Sequence, residues 1–280
     1  MRDLKKKNKQ LLLIKGIFIK EIKIMSRYIG NWIMIITLPY MLAGIFLGVG
    51  YAVGGKNASI NFYKNTGISD PALYSILGGA IMIATMIILE NTGGYIREEQ
   101  LIGTFELHYL TPNSTLQIWF FHILPIATIM IGIFSITITP ILLFKGNLLS
   151  FSEWLIAATV IFLSLMPLAG IGLVIAALTV RFKEVWAIVN VINSGITLLS
   201  GFYYPLEIFP EMVQTIALLV PSSTAVKILR TIIQHRYTSL NFGPQIILFL
   251  VLSMIYLSSG YITYKRWENA ARKNGELSKY

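Results

Sequence analysis

Ile96 to Pro112, IREEQLIGTFELHYLTP, is a short charged stretch between two long apolar runs. Arg97, Glu98, Glu99 and Glu106 cannot sit in hydrocarbon, so the segment lies in water beside a membrane. Leu101, Ile102, Phe105 and Tyr109 recur at helical spacing and predict one apolar face over residues 96–109. Gln100, Gly103 and Thr104 fall roughly opposite, and Glu99 and Glu106 share a flank. Thr111-Pro112 ends the helix, because the residue before a proline is driven out of the helical region. Two readings are open: a solvated helix joining two spans, or a coupling element that docks on a soluble partner.

The composition sets the class. Of 280 residues, 55% are hydrophobic and 13% charged, about half the charge of a soluble domain, and the mean hydropathy is +0.68. Several apolar runs reach the roughly 20 residues that a bilayer crossing needs. The chain therefore reads as an all-α membrane protein. It has no cysteine, which excludes disulfides, zinc-thiolate sites and thiol nucleophiles. A net charge of +10 would suggest nucleic acid in a soluble protein. Here the basic residues sit at the ends of the spans, so membrane lipid is the expected anion and nucleic acid is not.

Residues 1–30 read as a basic tail and an amphipathic interfacial helix. Ile14, Phe18, Met25 and Ile29 share one face; Lys20, Lys23 and Arg27 share the other. Glu21 falls on the apolar side, where only a local partner would account for it. Residues 31–264 read as a six-span transmembrane domain, with crossings expected near 31–53, 72–95, 116–144, 153–180, 185–203 and 244–264. The Gly44-xxx-Gly48 pair permits close helix approach in the first. Pro125 and Pro140 mark kinks in the third. Residues 265–280 make a basic tail.

Segment 50–56, GYAVGGK, fits most of a phosphate-loop pattern. Asn57 follows where Ser or Thr is required, and an apolar span precedes it instead of a strand, so it reads as a chance match. With both termini inside, 17 of the 23 Lys and Arg residues fall on the cytoplasmic side, which fixes the orientation. Residues 204–236 hold two apolar segments split by Pro221, each too short to cross about 30 Å. A hairpin entering from the outer face and returning keeps the basic C-terminus inside. Non-helical backbone at that depth requires protein or a water-filled cavity beside it. The hairpin is thus expected on a translocation path.

Two stretches carry a family resemblance. REEQLIGTFELHYLTPNS, residues 97–114, resembles the Arg-Glu…Gly-Thr-x-Glu-x-Leu…Thr-Pro-x-Ser stretch of type 2 ATP-binding-cassette (ABC) exporter permeases. LLSGFYYPLEIFPEMVQTIALLVPSSTAVKILR, residues 198–230, is similar to the same family's Ser-Gly-x-x-x-Pro…Pro…Pro…Arg stretch. The nearest flavour is the drug and antibiotic branch, as in daunorubicin-resistance permeases. Phe105 stands where the family often has Leu.

The resemblance implies the permease half of an ATP-driven exporter in a prokaryotic plasma membrane. Two permease chains, as a homodimer or with a related chain, would form the pore for an amphipathic drug, antibiotic, peptide or lipid-like substrate. Cytoplasmic ABC ATPase subunits would bind the ATP and Mg; this chain would hold no cofactor and no metal and catalyse nothing. Residues 96–109 would be the coupling helix, with Arg97, Glu98, Glu99, Gln100, Gly103, Thr104 and Glu106 facing the ATPase. Ser200, Gly201, Phe202, Tyr203, Pro205, Pro210 and Pro221 would belong to the hairpin and the path beside it.

Export of a lipid-linked polysaccharide is the alternative within the family. An intramembrane enzyme would need converging acids, bases or ligands, whereas His108, His122 and His235 sit at different depths. A channel or proton-coupled carrier would need no docking helix and would place ionisable groups at mid-membrane, where only Glu90 comes close. Phe202, Tyr203, Tyr204 and Phe209 could line a path; the simpler reading is an interfacial aromatic belt.

Overall fold

The computed structural model describes residues 2–68, 70–146, 148–182, 185–233 and 243–274. Among these every regular element is helical: α1 (Arg2–Arg27), α2 (Ile29–Gly54), α3 (Ala58–Thr66), α4 (Pro71–Ile102), α5 (Phe105–Leu110), α6 (Thr115–Lys145), α7 (Phe151–Phe182), α8 (Val185–Ser200), α9 (Glu211–Ala217), α10 (Pro221–Ile233) and α11 (Gly243–Asn274). Five helical stretches among the described residues are long and apolar enough to cross a membrane: Ile29–Thr66, Pro71–Ile102, Thr115–Lys145, Phe151–Leu178 and Gly243–Lys273. The expected fifth crossing is shorter than its predicted range. It is α8, with 16 residues, about 24 Å long.

Local chemistry sets the helix starts. Asp70-Pro71 is a helix cap: Asp70 Oδ1 accepts from the Ala72 and Leu73 amides at 3.1 Å, and Pro71 occupies the first turn. Ser114 and Gln117 close a reciprocal capping box at the start of α6, two bonds of 3.2 Å. The polar segment 54–73 between the first two expected crossings holds α3. Likewise residues 265–274 continue α11; residues 275–280 of the expected tail lie outside the described residues. Residues 50–54 of the phosphate-loop-like segment are the last of α2, and a 3₁₀ turn from Gly55 follows.

The bundle is organised on α7, along which α4 and α11 pack. Small residues set these crossings. A Cβ on Gly172 would stand 1.8 Å from Thr92 Oγ1, and one on Gly260 would stand 2.7 Å from the Gly170 carbonyl oxygen. Backbones this close exchange extensive dispersion contact in a medium that gives no hydrophobic drive between helices. A Cβ on Gly44 or Gly48, the pair singled out in the sequence, would meet nothing within 4 Å. The α2 face that carries them is bare within one chain.

The two ends of the bundle are distinct. At one, α1, the end of α4, α5 and the start of α6 come together, and α8 starts nearby, with Trp186 beside Gly94. At the other, Lys145 Nζ meets Asp70 Oδ2 at 2.8 Å, joining the end of α6 to the start of α4. There α8 ends against Gly78.

Candidate functional site

The α1 end carries the opening stretch, and its helix is broken. α4 runs to Ile102 and stops at Gly103, whose φ of +77° is left-handed, with its amide bonded to the Gln100 carbonyl at 3.0 Å. Such a cap favours glycine because a Cβ is strained there. Thr104 carries the chain into α5. The expected single helix over 96–109 is therefore a helix end, a turn and a six-residue helix. Its expected apolar face divides: Phe105 is 2% exposed, whereas Leu101 and Ile102 are 69 and 71% exposed, and the Tyr109 side chain lies outside the described residues. Leu107 and Leu110, not on that face, are also exposed, 53 and 82%. Gly103 borders open space, so within the chain it serves backbone geometry, not close approach.

Glu99 holds this corner. It is buried, not on an open flank. Lys20 Nζ donates to Glu99 Oε1 at 2.9 Å, His108 Nε2 lies 3.5 Å from Oε2, and the Thr104 hydroxyl donates to Oε2. Burial pushes the Glu99 carboxyl up. The hydrogen bonds from His108, Thr104 and Lys20 outweigh it and hold the group well below the usual carboxylate range. Three elements, α1, α4 and α5, are thereby tied to one anion.

A second pair fastens α1 to α6. His122 Nε2 and Glu21 Oε1 are 3.0 Å apart; an ionised carboxylate only accepts, so the imidazole donates. Burial raises the Glu21 carboxyl, but His122 and Lys20 bring it below its ordinary value. Tyr95 lies between the two pairs, its ring 4.8 Å from His122 and 6.0 Å from His108. Glu21 thus has its local partner. Its helix face, with Ile14, Ile17 and Phe18, is turned to α6 and not wholly to lipid. Of the other expected residues here, Glu98 is exposed, Arg97 is half-buried, and the Gln100 amide is buried with no hydrogen-bond partner among the described residues. The Glu106 side chain lies outside the described residues. The sequence reading set Lys20 on a polar face and His108 and His122 at different depths, and did not bring them to Glu99 and Glu21; the acid on an apolar face was the one available signal.

At the other end lies the hairpin region. α9 and α10 are bent by 91° to each other; residues 234–236 of the expected hairpin lie outside the described residues. Gly201, at φ +66°, turns the chain after α8. Arg230 then gathers the segment: its guanidinium donates to the carbonyls of Gly201 at 3.0 Å, Phe202 at 2.6 Å and Tyr74 at 3.3 Å, and covers the Tyr74 ring at 3.3 Å. Gly78 lets this happen, since a Cβ there would stand 1.7 Å from the Phe202 carbonyl oxygen.

Ser200 and Ser222 hydroxyls meet at 2.6 Å, joining α8 to α10. Pro205 and Pro210 precede the helical turn at Leu206–Ile208 and α9, and Pro221 opens α10. Phe202 is 1% exposed and packs in the core of the chain. Tyr203 stacks on Phe46 of α2 at 4.2 Å. A cavity of about 450 Å³ opens here between Tyr74, Ser200, Glu207, Lys227 and Arg230. Among the described residues no group of three His, Asp or Glu side chains could hold a metal ion.

Residues 11–233 match the family described as ABC-2 type transporter. The chain belongs to the ABC-2 type transporter family. A comparison with curated proteins gives no match. The matched range takes in both the Glu99 corner and the Arg230 hairpin. This ABC-2 chain is thus a multi-pass membrane protein and the transmembrane component of an ABC transporter, and the family implies a cytoplasmic ABC ATPase as its partner.

Proposed function

We propose that the chain is the permease of an ATP-driven exporter and that the α4–α5 corner is its coupling surface. The observation that carries this is the corner's exposed apolar cluster, Leu101, Ile102, Leu107 and Leu110, held out by a buried ionic tether. Arg97, Glu98 and Glu99 keep this corner out of hydrocarbon, so its apolar side chains face water unless a protein covers them. On this reading the α1 end and both termini are cytoplasmic, and ATP and Mg bind in the ATPase. The substrate is an amphipathic drug, antibiotic, peptide or lipid-like molecule.

Two further parts of the reading have their own support. The hairpin leaves and rejoins one end of the bundle, because Arg230 near the end of α10 binds the carbonyls of both Gly201, just after α8, and Tyr74 in the first turns of α4; this supports re-entry in place of a broken crossing. The bare α2 face at Gly44 and Gly48 suits a second permease chain, most simply another copy of this one. The decisive experiment concerns the corner. Leu101→Glu with Ile102→Glu should leave expression and thermal midpoint unchanged, because neither side chain is packed. ATPase co-purification and transport should both fall at least about tenfold, the loss of a small apolar anchor. Full retention of the ATPase in that variant would overturn the coupling assignment.

A further inference from the structure

A trough of about 720 Å³ runs between α6 and α11, floored by Leu173 of α7. Its size falls within the range of small-ligand sites. One end is polar: Ser114, Gln117 and Lys265. The rest is apolar, with Phe120, Phe121 and Leu257 among its walls. None of the lining residues is acidic. Because α6 starts where α11 approaches its end, the polar end lies at the α1 end of the bundle, level with the membrane surface there.

The charge at that mouth is positive on balance. Glu268, 3% exposed, accepts from Lys265 Nζ and from Arg272 Nη2, each at 2.9 Å. One carboxylate between two cations leaves an excess positive charge. Ser114 caps the 31-residue α6, so the positive end of that helix's dipole faces the same place.

We infer that this trough holds one anionic phospholipid, its phosphate at Lys265, Ser114 and Gln117 and an acyl chain against Phe120, Phe121 and Leu257. A zwitterionic lipid fits the same walls but brings its own cation to a mouth that already has one in excess. The inference does not depend on which leaflet meets the α1 end, nor on what the transporter carries.

Native mass spectrometry of the full-length chain tests it, with phosphatidylglycerol and phosphatidylcholine of identical acyl chains supplied in equal amounts. The expected result is one retained phosphatidylglycerol, favoured about fivefold, the effect of one lysine at an anionic lipid surface. Lys265→Gln should bring the two lipids to parity. Ser258→Phe, which fills the trough without touching charge, should abolish retention of both. Arg266→Gln, an exposed charge outside the trough, should change nothing. Glycerol phosphate, a headgroup without chains, should not compete. Equal retention of the two lipids by the natural sequence would overturn the inference. So would loss of selectivity in Arg266→Gln, which would mean surface charge alone, or an unchanged Ser258→Phe. If Lys265→Gln fails to fold, the Ser258→Phe and Arg266→Gln results still decide.

Discussion

Removing the charge from Glu99 while keeping its size, as Glu99→Gln does, leaves Lys20 and His108 without their shared anion. Hydrogen bonds to charged groups contribute about 1.5–3 kcal/mol each, but Lys20 is half exposed and solvent screens its share. The net loss should be about 1–3 kcal/mol, read as a lower thermal midpoint at pH 7. The sign of its pH dependence follows from the depressed carboxyl. Such a group stabilises fully above its unfolded value of about 4.3 and loses that contribution as pH falls towards its folded value. The difference between natural chain and Glu99→Gln should therefore be largest at neutral pH and shrink below about pH 4. A gap that widens on acidification would refute the assigned ion pairs. Gly103 gives a second test. Its left-handed backbone costs a side-chain-bearing residue about 1–2 kcal/mol, and the space around it is open. Gly103→Ala and Gly103→Leu should thus destabilise the chain alike. If Leu is far worse than Ala for transport alone, a partner surface approaches that position closely.

Among the elements, the α8–α10 segment is the one built most closely around single contacts. Gly78→Ala drives a methyl into the Phe202 carbonyl, and neither backbone can yield without moving α8's end or α4. Overpacking of this kind costs about 1–3 kcal/mol. Arg230→Lys keeps the charge but loses the fork that spans three carbonyls, so it should destabilise nearly as much as Arg230→Met. Normal thermal midpoints for both Gly78→Ala and Arg230→Lys would show that this hub is not formed. Little of this was legible in the sequence. The long helices were, because about 20 apolar residues have few other fates, and so was the charged corner, because acids cannot enter hydrocarbon. Pairings were not. Glu21 and His122 lie 101 positions apart, and Arg230 and Tyr74 lie 156 apart; periodicity along one helix says nothing of what faces it. Gly44-xxx-Gly48 drew attention by spacing, while Gly172 and Gly170, no different in one dimension, make the close crossings. The break at Gly103 was hidden for a related reason: helical spacing on both sides of a glycine continues across a turn that spacing alone does not register.

For the whole molecule, the open quantity is the number and direction of crossings. Lys20–Glu99 and Glu21–His122 place α1, the end of α4 and the start of α6 at one end; Asp70–Lys145 places the other ends of α4 and α6 together. α8 runs from Trp186 beside Gly94 to Phe202 beside Gly78, a second path along α4. On the proposed reading it makes a crossing despite its 16 residues, and its shortness would be met by the turn and the α9–α10 segment sitting within the membrane's outer part. With Arg230 bound back to Gly201 and Phe202, α11 begins where α8 stopped and returns to the α1 end. On the proposed reading the count is six, with α2, α4, α6, α7, α8 and α11 crossing, and the described end of α11 shares a side with α1. Because the chain has no cysteine, single cysteines report position without background. Asn57 and Asn269 are both exposed and lie at opposite ends. An impermeant maleimide added to intact cells should label Asn57→Cys and spare Asn269→Cys until the membrane is opened, in keeping with the excess of basic residues expected inside. The reverse pattern would turn the protein over and put the α4–α5 corner out of an ATPase's reach. Labelling of both from outside would remove one crossing, and the α9–α10 pair would then have to be a bent span.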